Sequence, residues 1–329
     1  MIKKNLLTLT AALSLTPGAF ALDGASVFGR SPDLAAFAQS RELPAVIPVP
    51  AAPEQAAPGF CIFNGQSGAA ADQAAFAAAV AGSDLVCVGE SHDQANDHLA
   101  QLAALKALYA ARGQKVGVGF EMLNMTLQPV LEDYAAGRLT EAEFLLKADW
   151  QKEWGFDFNL YKPIFDFIRE KKLKAIALNL PKKVVSKIAR VGLAGLSPEE
   201  AKYLPANLQV TANERYIAYI HQSFDGQMAD MFKFENYLAA MSAWNEAMGA
   251  RLADFINANP GYAALAVAGT GHMIYNAGIP ASFSARAAGA RVTSYFTQGA
   301  AACPEVFPAA DKDLGDYVWY VRHTGEPEN

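Results

Sequence analysis

Five short apolar runs punctuate the chain, each with the length and continuity of a strand buried on both faces. They are residues 84–89 (DLVCVG), 116–120 (VGVGF), 174–178 (KAIAL), 264–268 (ALAVA) and 291–296 (RVTSYF). Such runs suit a parallel sheet with both faces covered, where the usual in-and-out alternation is lost. Residues 60–63 (FCIF) read as a short first strand, and 317–321 (YVWYV) as a closing edge strand. Between the runs the pattern turns helical: 70–80 with Asp72 near its start, and 99–111 stopping near Gly113. Two longer stretches, 123–173 and 181–259, read as helical insertions capping one end of the sheet. Strands alternating with helices predict an α/β fold with a largely parallel β-sheet flanked by helices, and a helical cap subdomain inserted between strands. Right-handed crossovers would set the helices on both faces.

The ends of the chain read differently. Lys3 and Lys4 precede a short apolar run, 6–15, and Ala19-Phe20-Ala21 is a small-x-small cleavage site. Residues 1–21 are therefore expected to be a signal peptide, and 22–58, rich in Pro and Ala, a linker. The domain is expected over 59–323, with a tail at 324–329. No later stretch has transmembrane length, so a periplasmic or secreted location is expected. The net charge of −6 and the lack of a dense basic run argue against nucleic acid as partner. Of three cysteines, Cys87 falls inside an apolar run, which leaves Cys61 and Cys303 as the candidate pair in an oxidising compartment.

Polar residues follow the buried runs at corresponding places. Gly89-Glu90-Ser91-His92 follows the first, Glu121-Met122 the second, Asn179-Leu180-Pro181 the third and Gly269-Thr270-Gly271-His272 the fourth. In an open parallel sheet, ligands bind beyond the carboxyl ends of the strands, so these distant residues should converge. Glu90, His92, Glu121 and His272 are thus the candidate ligand-binding set. His92, His272 and Glu121 have the chemistry of a divalent metal site. Glu90 and Glu121 are alternatively candidate general bases with a histidine partner. His98 lies on a different helical face from His92, so the two are no obvious chelating pair, and His98 either lines the crevice from the following helix or is solvated; His221 and His323 carry no motif. Trp150, Trp154, Phe156, Phe158 and Tyr161 either pack the helical cap or wall a flat ligand.

An ordered set of motifs resembles the ChaN-like haem-binding uptake proteins, within a superfamily that includes the Tiki/TraB proteins and erythromycin esterases. It comprises Val88-Gly89-Glu90-Ser91-His92-Asp93, Gly119-Phe120-Glu121-Met122, Asp149-Trp150, Trp154-Gly155-Phe156, Tyr161-Lys162-Pro163 and Asn179-Leu180-Pro181. It continues with Trp244-Asn245-Glu246-Ala247-Met248, Gly271-His272-Met273-Ile274-Tyr275 and Asp316-Tyr317-Val318-Trp319. The resemblance implies haem as the bound cofactor, an iron-uptake context with haem-uptake components as partners, and a homodimer when loaded. It implies iron bound by tyrosine with histidine assisting, and Tyr275, beside the matched Gly-His, is the candidate tyrosine. The esterase-like relatives imply a hydrolytic use of the corner matching His92, Glu121 and His272, in some cases with a metal. Several family members are lipoproteins, whereas no lipobox cysteine follows the apolar run here.

Overall fold

The computed structural model describes residues 61–227 and 229–323. The expected signal peptide, linker and C-terminal tail lie outside the described residues.

Eight strands form one sheet: β1 (Cys61–Asn64), β2 (Ala70–Ala71), β3 (Leu85–Val88), β4 (Val116–Asn124), β5 (Lys174–Asn179), β6 (Ala263–Val267), β7 (Val292–Gly299) and β8 (Tyr317–Val321). Their order is β2-β1-β8-β7-β3-β6-β4-β5. The six strands from β8 to β5 run parallel, and β1 and β2 add antiparallel pairs at one side. The fold is therefore α/β with a largely parallel sheet, as the apolar runs predict.

Two details differ from the sequence expectation. The closing strand β8 is not an edge, because β1 pairs along it, Ile62 opposite Trp319. Residues Ala70 and Ala71, expected to open a helix, pair with β1 instead. The helix begins at Gln73, where Asp72 caps it by accepting from the Ala75 N–H at 2.8 Å.

Strand alternation divides the core. Val86, Val88, Val118, Phe120, Leu265 and Val267 face the helices Ala95–Arg112 and Phe158–Lys171, packing with Leu105, Leu108, Ile164 and Phe165. Leu85, Cys87, Ala264, Ala266 and Ile176 face the helix Phe234–Ala258 through Met248, Leu252 and Ala253. Each long helical segment thus supplies a face-covering layer. In β4 the valines point to the first face and the glycines to the second: a Cβ on Gly117 would lie 2.6 Å from the Phe255 ring. Among the described residues no helix is long and apolar enough to cross a membrane.

Candidate functional site

The strand order makes β3 a switch point: the chain leaves it toward β4 and β5 on one side, while β7 and β8 lie on the other. Beyond the carboxyl ends of β3, β6 and β4 a crevice is expected, and there the predicted residues meet. Glu90 and His92 follow β3. His272 lies on the one-turn helix Thr270–His272 that follows β6. Glu121 lies within β4 rather than after it, one residue past the last regular pairing, where the register with β5 shifts between Phe120 and Asn124. The irregularity frees Glu121 to turn into the crevice, and Asn179 at the end of β5 holds the spot by donating to the Glu121 carbonyl at 2.8 Å.

Two imidazole–carboxylate pairs result. His92 Nδ1 sits 2.8 Å from Glu90 Oε1, and His272 Nε2 sits 3.1 Å from Glu121 Oε1. Gly269 lies between them. A Cβ there would stand 2.8 Å from His92 Cε1 and 3.7 Å from Glu121 Oε2. Without one, the Gly269 N–H donates to Glu121 Oε2 at 2.7 Å, so the close approach requires glycine.

Glu90 is 2 % exposed and fully engaged. The Tyr161 hydroxyl donates to Oε1 at 2.8 Å, and Gln101 Nε2 donates to Oε2 at 2.7 Å. His98 stands behind it: Nδ1 is 3.3 Å from Glu90 Oε2 and 3.2 Å from Gln101 Oε1, and Nε2 is 3.2 Å from the His92 carbonyl. Both His98 nitrogens face acceptors, an arrangement that favours the doubly protonated ring. Burial works against charge on Glu90, but the positive His98 and the hydrogen bond from His92 overcome it, holding the carboxyl below the ordinary 4.5. His92 and His98 move the opposite way. Burial lowers both, and the carboxylates, Glu90 foremost, raise them above the ordinary 6.5. Glu121 is likewise lowered, burial being outweighed by the His272 charge and hydrogen bond. Burial and the adjacent Glu90 charge push Tyr161 well above the usual phenol range, so it is a neutral donor.

On the other side, His272 Nδ1 is 2.7 Å from Asn245 Oδ1. Asn245 Nδ2 donates to the Tyr216 hydroxyl at 2.8 Å, which donates to the Gly271 carbonyl at 3.0 Å. The chain of donors fixes the Asn245 amide with its oxygen toward His272. The loop after β3 has its own brace: Asp97, fully buried, accepts from the Ser91 N–H at 2.6 Å and faces His323 Nε2 at 3.1 Å.

The structure thus brings together Glu90, His92, Glu121 and His272. Tyr275 stands apart from that hydrogen-bonded set, half-buried on the next turn in a left-handed conformation (φ 59°), with the Arg215 guanidinium 4.2 Å from its ring centre. The aromatics divide as well. Trp150 and Phe158 are buried core beside Phe144 and Phe165, whereas Trp154 and Phe156, partly exposed, contact His92 at 4.7 and 5.0 Å between ring centres. Among the described residues no group of three or more His, Cys, Asp or Glu is arranged to hold a metal ion, so the expected set His92, His272 and Glu121 does not form one. Glu121 is instead engaged with His272 and the Gly269 N–H. Gln101, Asn245 and Tyr216 are members of the hydrogen-bonded site that residue-by-residue reading missed, while His98 and Tyr161, each open to two readings from the sequence, line the crevice. Only the i, i+3 spacing of His98 and Gln101, and the presence of Tyr161 and Asn245 in the matched motifs, hinted at them.

Among curated proteins none matches the chain. Solved structures do. ChaN of Campylobacter jejuni, described with cofacial haem binding, superposes with a TM-score of 0.62 at 17% identity, covering 80% of this chain and 97% of that one. The type III effector HopBA1 (TM-score 0.47, 11% identity, 82% and 99% covered) and a mutant of the erythromycin esterase EreC (0.42, 14%, 74% and 77%) are more distant. The sequence profile described as "Haem-binding uptake, Tiki superfamily, ChaN" matches residues 76–283, a span that holds Glu90, His92, Glu121, His272 and Tyr275, and the chain belongs to that family.

Proposed function

We propose that this protein binds haem as cargo for iron acquisition, in the periplasm or outside the cell, with the haem shared between two copies of the chain. The observation that carries the reading is the family match across every strand-end motif. The side chains on hand suit the ligand. Trp154 and Phe156 offer partly exposed aromatic surface, of the kind that covers porphyrin faces. Tyr275 offers a phenol oxygen for ferric iron, and Arg215 over its ring is a cation of the kind that pairs a propionate. His92 and His272 are the assisting imidazoles. The Cys61–Cys303 disulfide supports an oxidising compartment.

Haemin titration of the purified domain, followed by absorbance and sedimentation, tests this. The expected result is a saturable Soret shift accompanied by dimer formation, weakened at least about tenfold, or about 1.4 kcal/mol, in Tyr275→Phe. A shift that does not saturate, or a monomer throughout, overturns it.

A second reading rests on a separate observation. With Nδ1 engaged by Glu90, His92 turns its other edge toward Gly269 and Glu121. A carboxylate-oriented imidazole is the arrangement of a general base, which takes a proton from water as it attacks an acyl carbon. This Glu/His-dependent hydrolase predicts turnover of a p-nitrophenyl ester that falls by about 10²-fold or more in His92→Ala. Turnover equal in the two proteins excludes it.

A further inference from the structure

At the free edge of the sheet, away from the strand ends that hold the site, a groove of about 1050 Å³ runs along the first half of β5. Five cationic side chains line it, Arg138, Arg169, Lys172, Lys174 and Arg251, with two carboxylates, Glu132 and Asp254, and Arg138 is itself paired with Asp133 at 2.7 Å. That is a local positive excess in a chain whose net charge is −6. The helix Phe158–Lys171 ends here, and its dipole accounts for a cation or two at its carboxyl end. It does not account for Lys174 on β5 or for Arg251 well inside another helix.

The cations are held in two ways. Arg169 and Arg251 are fixed: the guanidinium of the first sits over the Tyr134 ring, 4.5 Å from its centre, and the second donates to the Ala177 carbonyl and, at 3.1 Å, to Gln128 Oε1. Lys172 and Lys174 are exposed, and among the described residues neither forms an ion pair. Anchored guanidiniums beside unspent ammoniums are the elements of a polyanion site: the first supply directed donors and the second supply mobile charge.

The backbone of β5 is closed to another strand. Gln128 pairs with it as a neighbouring strand would, donating to the Ala175 carbonyl at 2.9 Å and accepting from the Ala177 N–H at 2.8 Å. An occupant of the groove is therefore recognised by side chains and not by strand addition. We propose that this groove binds a small polyanion bearing at least two phosphate or carboxylate groups.

The probes are inorganic tripolyphosphate and citrate, measured by calorimetry at low ionic strength, beside vesicles of phosphatidylglycerol. The comparison is between the intact protein and Lys172→Glu/Lys174→Glu, with Lys174→Glu alone should the double variant melt early. The expected result is one saturable site, weakened at least about tenfold in the variants and by added salt, at unchanged melting temperature. Binding of the soluble probes identifies a soluble ligand; binding of vesicles alone overturns the small-polyanion site in favour of a lipid surface. No saturation by any probe up to about 10 mM, or equal binding by protein and variants, overturns the site.

Discussion

Glu90→Ala is expected to destabilise the domain by about 3–5 kcal/mol, the cost of stranding a buried charge whose partner is removed. Four groups lose their acceptor at once: Tyr161, Gln101, His92 and His98. Tyr161, Gln101 and His98 are buried and cannot turn to water, whereas His92 is partly exposed and can. At about 2–4 °C per kcal/mol for a domain of this size, the thermal midpoint should fall by about 6–20 °C. Circular dichroism of the two proteins at the same pH measures it. A shift below about 2 °C would mean that His98 is not a buried imidazolium and that the network is not built on Glu90. Glu90→Gln keeps shape and hydrogen-bonding capacity but not charge, so it should sit between.

The same network sets a pH dependence. Glu90 and Glu121 titrate below their ordinary value of 4.5 in the fold, so their contribution is present above that value and is lost as pH falls through the lowered ones. His92 and His98 titrate above their ordinary 6.5, so theirs is complete below that value and is lost as pH rises through the raised ones. The thermal midpoint should therefore be highest between those two ordinary values. In Glu90→Gln the decline on the alkaline side should flatten, because Glu90 is the chief cause of both histidine shifts.

Much of this corner is legible in the sequence because central parallel strands announce themselves. A run such as Leu85-Val86-Cys87-Val88 has no exposed face to break it with polar residues, so the first polar residue marks the strand end and hence the crevice. Glu90, His92 and His272 follow from that rule. Glu121 follows only in part, since β4 continues past it through an irregularity that hydrophobic pattern does not encode. The supporting residues are harder. His98 and Gln101 look like the polar side of an amphipathic helix, and their burial depends on Glu90 arriving from another strand. Tyr161 stays open between core and ligand wall, and Asn245 carries no role, until the helices that hold them are placed. The position of β8 is illegible for a related reason: whether a strand is an edge depends on its neighbour, and β1 is four residues long with few apolar positions to reveal the pairing.

Opening the Cys61–Cys303 disulfide is expected to cost about 2–5 kcal/mol, and to spare the site. The bridge joins the first residue of β1 to the loop between β7 and β8, across a sequence separation of 242. A link of that span removes a large share of loop-closure entropy from the unfolded chain, about 5 kcal/mol at the upper end of the entropic treatment. Its native-state benefit is local. β1 is held otherwise by pairing with β8 and by Phe63 against Phe307 and Tyr320, and the two-residue β2 is paired to β1 alone. The site strands β3, β4 and β6 lie beyond β8 and β7 in the sheet and take nothing directly from the link. Cys303 is exposed, so a reductant reaches it, whereas Cys87 is fully buried with its thiol pushed far up by burial. Dithiothreitol, or Cys303→Ser, should therefore lower the thermal midpoint by about 4–20 °C. Hydrogen exchange should speed first at Ile62 and Phe63, while amides of β3 and β6 stay protected until global unfolding. If β3 and β6 lose protection together with β1, the bridge clamps the whole sheet, and reduction would switch the site as well as weaken the fold.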